Sequence, residues 1–338
     1  MLVKPLPPQD VGGPDVASCH RVLCWALAYD LPGDPAPAVQ DTAALLGPRW
    51  PGERAALWVA EEHGAIIGLA RLYLSDRENT HLGEFCLDVH PAYRRRGAGT
   101  RLLREAVRMM LAEGRRGLVA EVADGTEGVW FVNARGLRAG SREARSLLDL
   151  VSVDARRLDT LAEEEHASYR LAAWVDSAPD DLLPSFGLAR RTSRDAPTGS
   201  LEMCPPEWDA ALVREYEQAT MRAGRESRVV AALHEPTGQV VGLTEVAISR
   251  WTPRRALQRQ TVVVPAHRGH GLTLWMKAEM LRWLRAERGD VTEIATFTAE
   301  QDFQMRQIDE GLSYKLDRWW SRCHADIPTL ARRLGIPT

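Results

Sequence analysis

Arg94, Arg95, Arg96, Gly97, Ala98, Gly99 and Thr100 are the residues whose types and spacing best suit chemistry. Three arginines precede two glycines set two apart, where one periodicity gives way to another. Before them, residues 85–89 read as a short strand that Pro91 ends. After them, Leu102, Leu103, Ala106, Val107, Met110 and Leu111 fall on one face of a helix. A strand-to-helix turn of this kind points successive main-chain N–H groups into one concavity at the positive end of a helix, a ready site for a pyrophosphate. Gly97 and Gly99 allow close approach of the backbone, and the arginines supply charge for phosphate oxygens. A tight connection carrying solvated arginines would share these features, so the flanking sequence has to decide.

The pattern occurs twice. With an offset of 174, residues 58–108 lie on 232–282 without a gap, and the identical pairs include Gly64 with Gly238, Gly68 with Gly242, Val89 with Val263, Pro91 with Pro265, Arg94 with Arg268 and Gly97 with Gly271. Many of these are turn residues, where backbone geometry dictates residue type, so the chain reads as a duplication. Each copy predicts two antiparallel strands (57–61 and 66–74; 229–233 and 240–248) and a short strand (85–89; 261–264). The glycine loop, a helix (101–111; 274–285) and a further strand (117–122; 293–297) follow. This is an α/β fold with a mixed sheet of the α+β kind. A length of 338 residues suits two domains, expected at 1–155 and 156–338, with the Pro-, Asp- and Ser-rich segment 178–206 as connector. The second loop offers Val263, Arg268, Gly269, His270, Gly271, Leu272 and Thr273 as matching candidates, with a threonine where the first has Gly99.

With its flanks, the run from Val89 through Arg94, Gly97 and Gly99 to Leu103 resembles the acyl-CoA signature of the GNAT acyltransferase superfamily: Gln or Arg, two residues, Gly, one residue, then Gly or Ala. The segment from Thr296 to Tyr314 is similar to the closing motif of two-domain members. The resemblance implies two tandem GNAT-like domains, a layout shared with mycothiol synthase-like proteins. It also implies acetyl-CoA or another acyl-CoA as co-substrate, with no metal. Pantetheine would pair with the main chain around Leu87, Asp88 and Val89. A backbone N–H would stabilise the oxyanion while a primary amine attacks directly in a ternary complex. The first copy is expected to bind acyl-CoA and the second to be a degenerate copy.

An alkyl ammonium must lose a proton before it attacks, so a general base is sought. Glu84, just before the core of the strand, is the candidate, although a solvated edge carboxylate would look the same. Glu245 on a second-copy strand is an alternative. The family's usual tyrosine acid has no counterpart: counting back from the closing aromatic or aliphatic residue gives Val132 and Asp309. Tyr314 occupies the packing position. Cys86, the histidines His267 and His270, and the tryptophans Trp275, Trp283, Trp319 and Trp320 are read as packing or surface residues.

A balance of 43 basic to 46 acidic residues argues against a bulk electrostatic grip on nucleic acid or an anionic membrane, a local basic patch aside, and speaks against aminoacyl transfer from transfer RNA. Five scattered cysteines without a CxxC pair, and the lack of a long apolar run, lead to the expectation of a reduced, cytoplasmic protein. Two functions remain open: an acyl-CoA-dependent N-acetyltransferase acting on a small-molecule or peptide amine, and a non-catalytic acyl-CoA-binding protein or sensor.

Overall fold

A computed structural model describes residues 1–7, 12–192 and 203–337. In chain order the elements are β1 (Leu2–Pro5), α1 (Gly13–Asp30), α2 (Val39–Leu45), β2 (Glu53–Glu62), β3 (Ala65–Ser75), β4 (Leu82–Val89), α3 (Ala98–Ala112), β5 (Gly117–Ala123), α4 (Glu127–Arg135) and β6 (Arg138–Asp149). Then come α5 (Ala155–Ala162), β7 (Tyr169–Val175), α6 (Leu183–Arg191), α7 (Ala210–Arg222), β8 (Arg225–His234), β9 (Gln239–Ser249) and β10 (Arg255–Val263). The chain closes with α8 (Leu272–Glu287), β11 (Glu293–Ala299), α9 (Phe303–Gly311), β12 (Lys315–Asp326) and α10 (Ile327–Arg333).

The first compact unit holds the described residues of 1–142 and 319–337, with Met203. Its sheet runs β1–β2–β3–β4 antiparallel, then β5 parallel to β4, then the C-terminal part of β12 antiparallel to β5. The central strand β3 is covered on both faces and reads as an apolar run broken by Arg71. Leu69 packs with Leu57, Val59 and α1, while Ala70, Leu72 and Leu74 pack in the cluster that includes α3. Helix α3 turns Leu102, Leu103, Ala106, Val107 and Met110 inward, and each buried Leu or Met contributes about 1.5–3 kcal/mol. Gly97 starts the helix at φ 87°, a left-handed conformation that favours glycine.

The second unit holds residues 143–192 and 204–318. It repeats the pattern: β7–β8–β9–β10 antiparallel, β11 parallel to β10, and residues 143–149 of β6 antiparallel to β11. Gly271 starts α8 at φ 74°, as Gly97 starts α3. The duplication read from the sequence is thus a duplication of structure.

Two expectations about organisation change. In place of one cut near residue 155, the chain passes into the second unit within β6 and returns within β12, because the last strand of each sheet comes from the other half of the sequence. The segment 178–206 is not simply a connector. Within it α6 buries Phe186 and Ala189 in a second-unit core with Trp174 and Leu212. Residues 193–202 of that segment lie outside the described residues. The short strand predicted at 261–264 begins earlier, at Arg255, with a register shift between Gln258 and Thr261.

Candidate active site

The ladder between β4 and β5 is only three pairs long: Leu82 with Gly117, Gly83 with Leu118, and Glu84 with Val119. Beyond it the strands part. A cavity of about 710 Å³ opens there, lined by Phe85, Leu87 and Val89 on one side and Ala120, Glu121 and Val122 on the other. It runs to the start of α3, where Gly97, Ala98, Gly99 and Thr100 contribute to the wall together with Arg94 and Arg95. Its far side is α4, through Trp130, Phe131 and Val132. Unpaired edges of two parting strands therefore lead directly to the N-terminal turn of a helix, whose orphan N–H groups and dipole suit an anion. Gly99 is closely packed: a Cβ there would lie 3.1 Å from Leu87 and 3.2 Å from Phe131.

Alternation along β4 separates the candidates. Phe85, Leu87 and Val89 pack with the α3 core, whereas Glu84, Cys86 and Asp88 point to the other face. Asp88 accepts from Arg71 Nη2 at 2.8 Å. Burial pushes its carboxyl up against the pull of that guanidinium. The Asp88 side chain is therefore taken up within the sheet, and only its main chain is available toward the cavity. Burial also raises the Cys86 thiol, which suits packing and not nucleophilic attack.

Arg94 is held on three sides. Its Nε donates to Val89 O at 3.0 Å, and its two Nη atoms donate to Asp30 at 2.7 and 2.6 Å. Glu127 stands 3.4 Å from Nη1. The first bond recurs in the second unit, where Arg268 Nε donates to Val263 O at 3.1 Å. The shared arginine thus anchors the end of the strand to the loop in both units. Arg95, at φ 61°, lines the cavity, and Arg96 is largely exposed, 4.0 Å from Glu62 and over the Tyr93 ring.

Glu84 sits at the last paired residue before the strands part. Its carboxylate accepts from Arg49 Nη2 at 2.6 Å, and Glu84 is not among the residues lining the cavity. Three carboxylates absent from the sequence reading do line it: Asp30 and Glu127, which hold Arg94, and Glu121. Glu121 on β5 takes part in an ion pair with Arg322 of the facing strand β12, with Nε at 2.9 Å. Its one signal in the sequence is a lone charge on an otherwise apolar strand. Glu245, the alternative base, is fully buried with Arg190, Tyr216 and Ser227 as partners, so it has no access to a substrate.

The second unit copies the loop but not the cavity walls. Leu137 N donates to Val132 O, and Tyr314 N donates to Asp309 O, each at 3.0 Å, which matches these residues pair by pair. Where the first unit has Leu103 and Val132, the second has Lys277 and Asp309, an ion pair with both residues about 2% exposed. Thr298, matching Val122, donates to the same carboxylate at 3.0 Å. Burial raises the Tyr314 hydroxyl well above its ordinary range, and its oxygen is shielded from solvent without a hydrogen-bond partner, which suits the packing position. At the loop, His270 O is in hydrogen-bond contact with His166 Nδ1 at 2.9 Å, and a Cβ at Gly271 would meet His166 at 3.1 Å. His267 contacts Tyr169, and burial with neighbouring His234 and His270 lowers its pKa.

Residues 25–130 match the Acetyltransferase (GNAT) family model. The chain has the fold of two GNAT-like domains in tandem. It is similar over 96% of its length to 98% of a tandem GNAT protein from the clavulanic acid biosynthesis pathway, with 24% identity and a TM-score of 0.83. A GCN5-related N-acetyltransferase from Sphaerobacter thermophilus is similar at 14% identity and a TM-score of 0.67, over 96% of this chain and 95% of that one. A putative acetyltransferase from Pyrococcus horikoshii follows at 13% identity and a TM-score of 0.58, over 96% and 89%. No curated protein matches the chain. The family match supports acyl transfer in general, and the matched residues cover α3 and the loop before it. Among the described residues, no helix is long and apolar enough to cross a membrane, and no group of three or more His, Cys, Asp or Glu is placed to hold a metal ion.

Proposed function

We propose that the first unit binds acetyl-CoA, or another acyl-CoA, and transfers the acyl group to a primary amine. The observation that carries this reading is the parting of β4 from β5 after Glu84, which opens the cavity onto the N-terminal turn of α3. Main-chain amides of Gly97–Thr100 would take the diphosphate, with Arg95 adding charge. The free edge of β4 at Leu87–Val89 would pair with pantetheine, and a β4 N–H would meet the thioester oxygen as charge develops on it.

The amine would approach from the face that carries Glu84, away from α3. Its nitrogen forms the new amide bond at the thioester carbonyl and the C–S bond breaks. The nitrogen's proton passes to a carboxylate, and the CoA thiolate leaves. A thiol of pKa near 8.5 can depart without a dedicated acid, which suits Val132 at the place of the family's tyrosine. With Asp30 and Glu127 engaged by Arg94, Glu84 at the fork and Glu121 on the cavity wall are the carboxylates proposed to take the proton. The buried Lys277–Asp309 pair and the His166 contact support the second unit as a copy without an acyl-CoA site. Five free cysteines support a reduced, cytoplasmic setting.

Release of free thiol from acetyl-CoA in the presence of a panel of small and peptide amines tests this reading. Amine-dependent thiol release supports transfer. Tight binding of acetyl-CoA with no release under any amine supports the alternative, a non-catalytic acyl-CoA-binding protein.

A further inference from the structure

A second, smaller cavity of about 250 Å³ lies beside the first and shares Arg135 with it. Its walls carry Arg135, Arg138, Arg333 and His324, against a single carboxylate, Asp326. Asp326 already accepts from Thr329 N at 2.9 Å as it caps α10. Among the described residues no carboxylate pairs with Arg135, Arg138 or Arg333, although elsewhere in this slightly acidic chain arginines are commonly paired. Two nitrogens in this region, Arg135 Nε and His324 Nδ1, are shielded from solvent and have no hydrogen-bond partner. Gly136, at φ 78°, leaves room for the Arg333 guanidinium to lie against the backbone there. Converging guanidinium groups with unspent donors describe a site for a tetrahedral dianion.

Position narrows the ligand. Arg135 Nη2 donates to Thr100 Oγ1 at 2.8 Å, and Thr100 belongs to the turn assigned above to the diphosphate. Trp130, 73% exposed on α4, lines the same first cavity as that turn and offers it a flat face. We propose that the basic cavity holds the ribose 3′-phosphate of CoA while Trp130 stacks its adenine, so the first unit distinguishes CoA from its 3′-dephospho form. This rests on the assignment of the first cavity to acyl-CoA.

The test is calorimetric titration of the full chain with CoA and with 3′-dephospho-CoA, repeated on Arg138→Ala/Arg333→Ala and on Arg332→Ala as a control outside the cavity. All three arginines are exposed, so folding is checked by thermal denaturation with little loss expected. The proposal predicts about tenfold or greater preference for CoA in the parent, since charge-assisted hydrogen bonds of this kind contribute that much. The double variant should lose the preference by weakening CoA alone, Arg332→Ala should keep it, and inorganic phosphate should compete with CoA in the parent only. Equal affinity for the two ligands in the parent overturns the proposal and leaves the acyl-CoA assignment standing. So does a preference that survives in the double variant. Failure of both ligands to bind overturns the acyl-CoA assignment and this inference with it.

Discussion

Lys277 and Asp309 form an ion pair deep inside the second unit, at the positions where the first unit has Leu103 and Val132. Leu103 and Val132 line the large cavity of the first unit. One substitution pattern thus turns an apolar wall into a closed polar network, and it separates the two copies more sharply than their loops do.

The pair should show the asymmetry of buried charges. Lys277→Leu alone leaves Asp309 unpaired and should cost about 3–5 kcal/mol, whereas Lys277→Leu/Asp309→Val should be near neutral or stabilising. Urea unfolding of the three chains measures this. A double variant as unstable as the single one would contradict it.

Glu84→Gln and Glu121→Gln should behave differently if one of them takes the amine proton. The variant that removes the base should lose about 10²–10⁴ in kcat, along with the basic rise of the pH–rate profile. The other should change rate within a few-fold. Profiles unchanged in both would exclude a carboxylate base from this pair.

Glu127 stands beside Arg94 on the wall of the large cavity, where a negative charge opposes an entering diphosphate. Glu127→Gln should tighten acetyl-CoA by a few-fold, about 1 kcal/mol or less at such exposure, with the gain shrinking as salt rises. Competition binding at low and high ionic strength reads it directly.

Glu245 carries a pH dependence. Burial alone would lift its carboxyl, but Arg190, Arg259 and hydrogen bonds from Ser227 and Arg190 hold it below the ordinary glutamate range. A depressed folded pKa gives stability that is present above the unfolded value near 4.5 and is lost as pH falls through the folded one. Glu245→Gln should be less stable than the parent at pH 7, and the difference should narrow toward pH 3 in thermal melts. A constant difference across that range would contradict the assignment.

Local rules made much of the first site legible. Gly97, Pro91 and the spacing of Leu102, Leu103, Ala106 and Val107 each act within a few residues, so the turn and α3 followed from the sequence. The cavity did not, because it arises where β4 and β5 stop pairing, and nothing in either strand alone marks that point. The strand exchange was hidden for the same reason: β6 and β12 lie outside the strands expected from the sequence, and their partners are set by distant pairing. Helix α6 was passed over because proline and aspartate dominate its approach, although Pro184 in its first turn is a common helix-start residue. Glu121 carried no motif, only a charge where neighbours were apolar.

Titration calorimetry with acetyl-CoA on the parent, Gly99→Val and His270→Glu tests the central assignment most directly. The account predicts one acetyl-CoA per chain, retained in His270→Glu and weakened about tenfold or more in Gly99→Val, where the added side chain presses on Leu87 and Phe131. Undiminished binding in Gly99→Val together with loss in His270→Glu would move the site to the second unit and contradict the account.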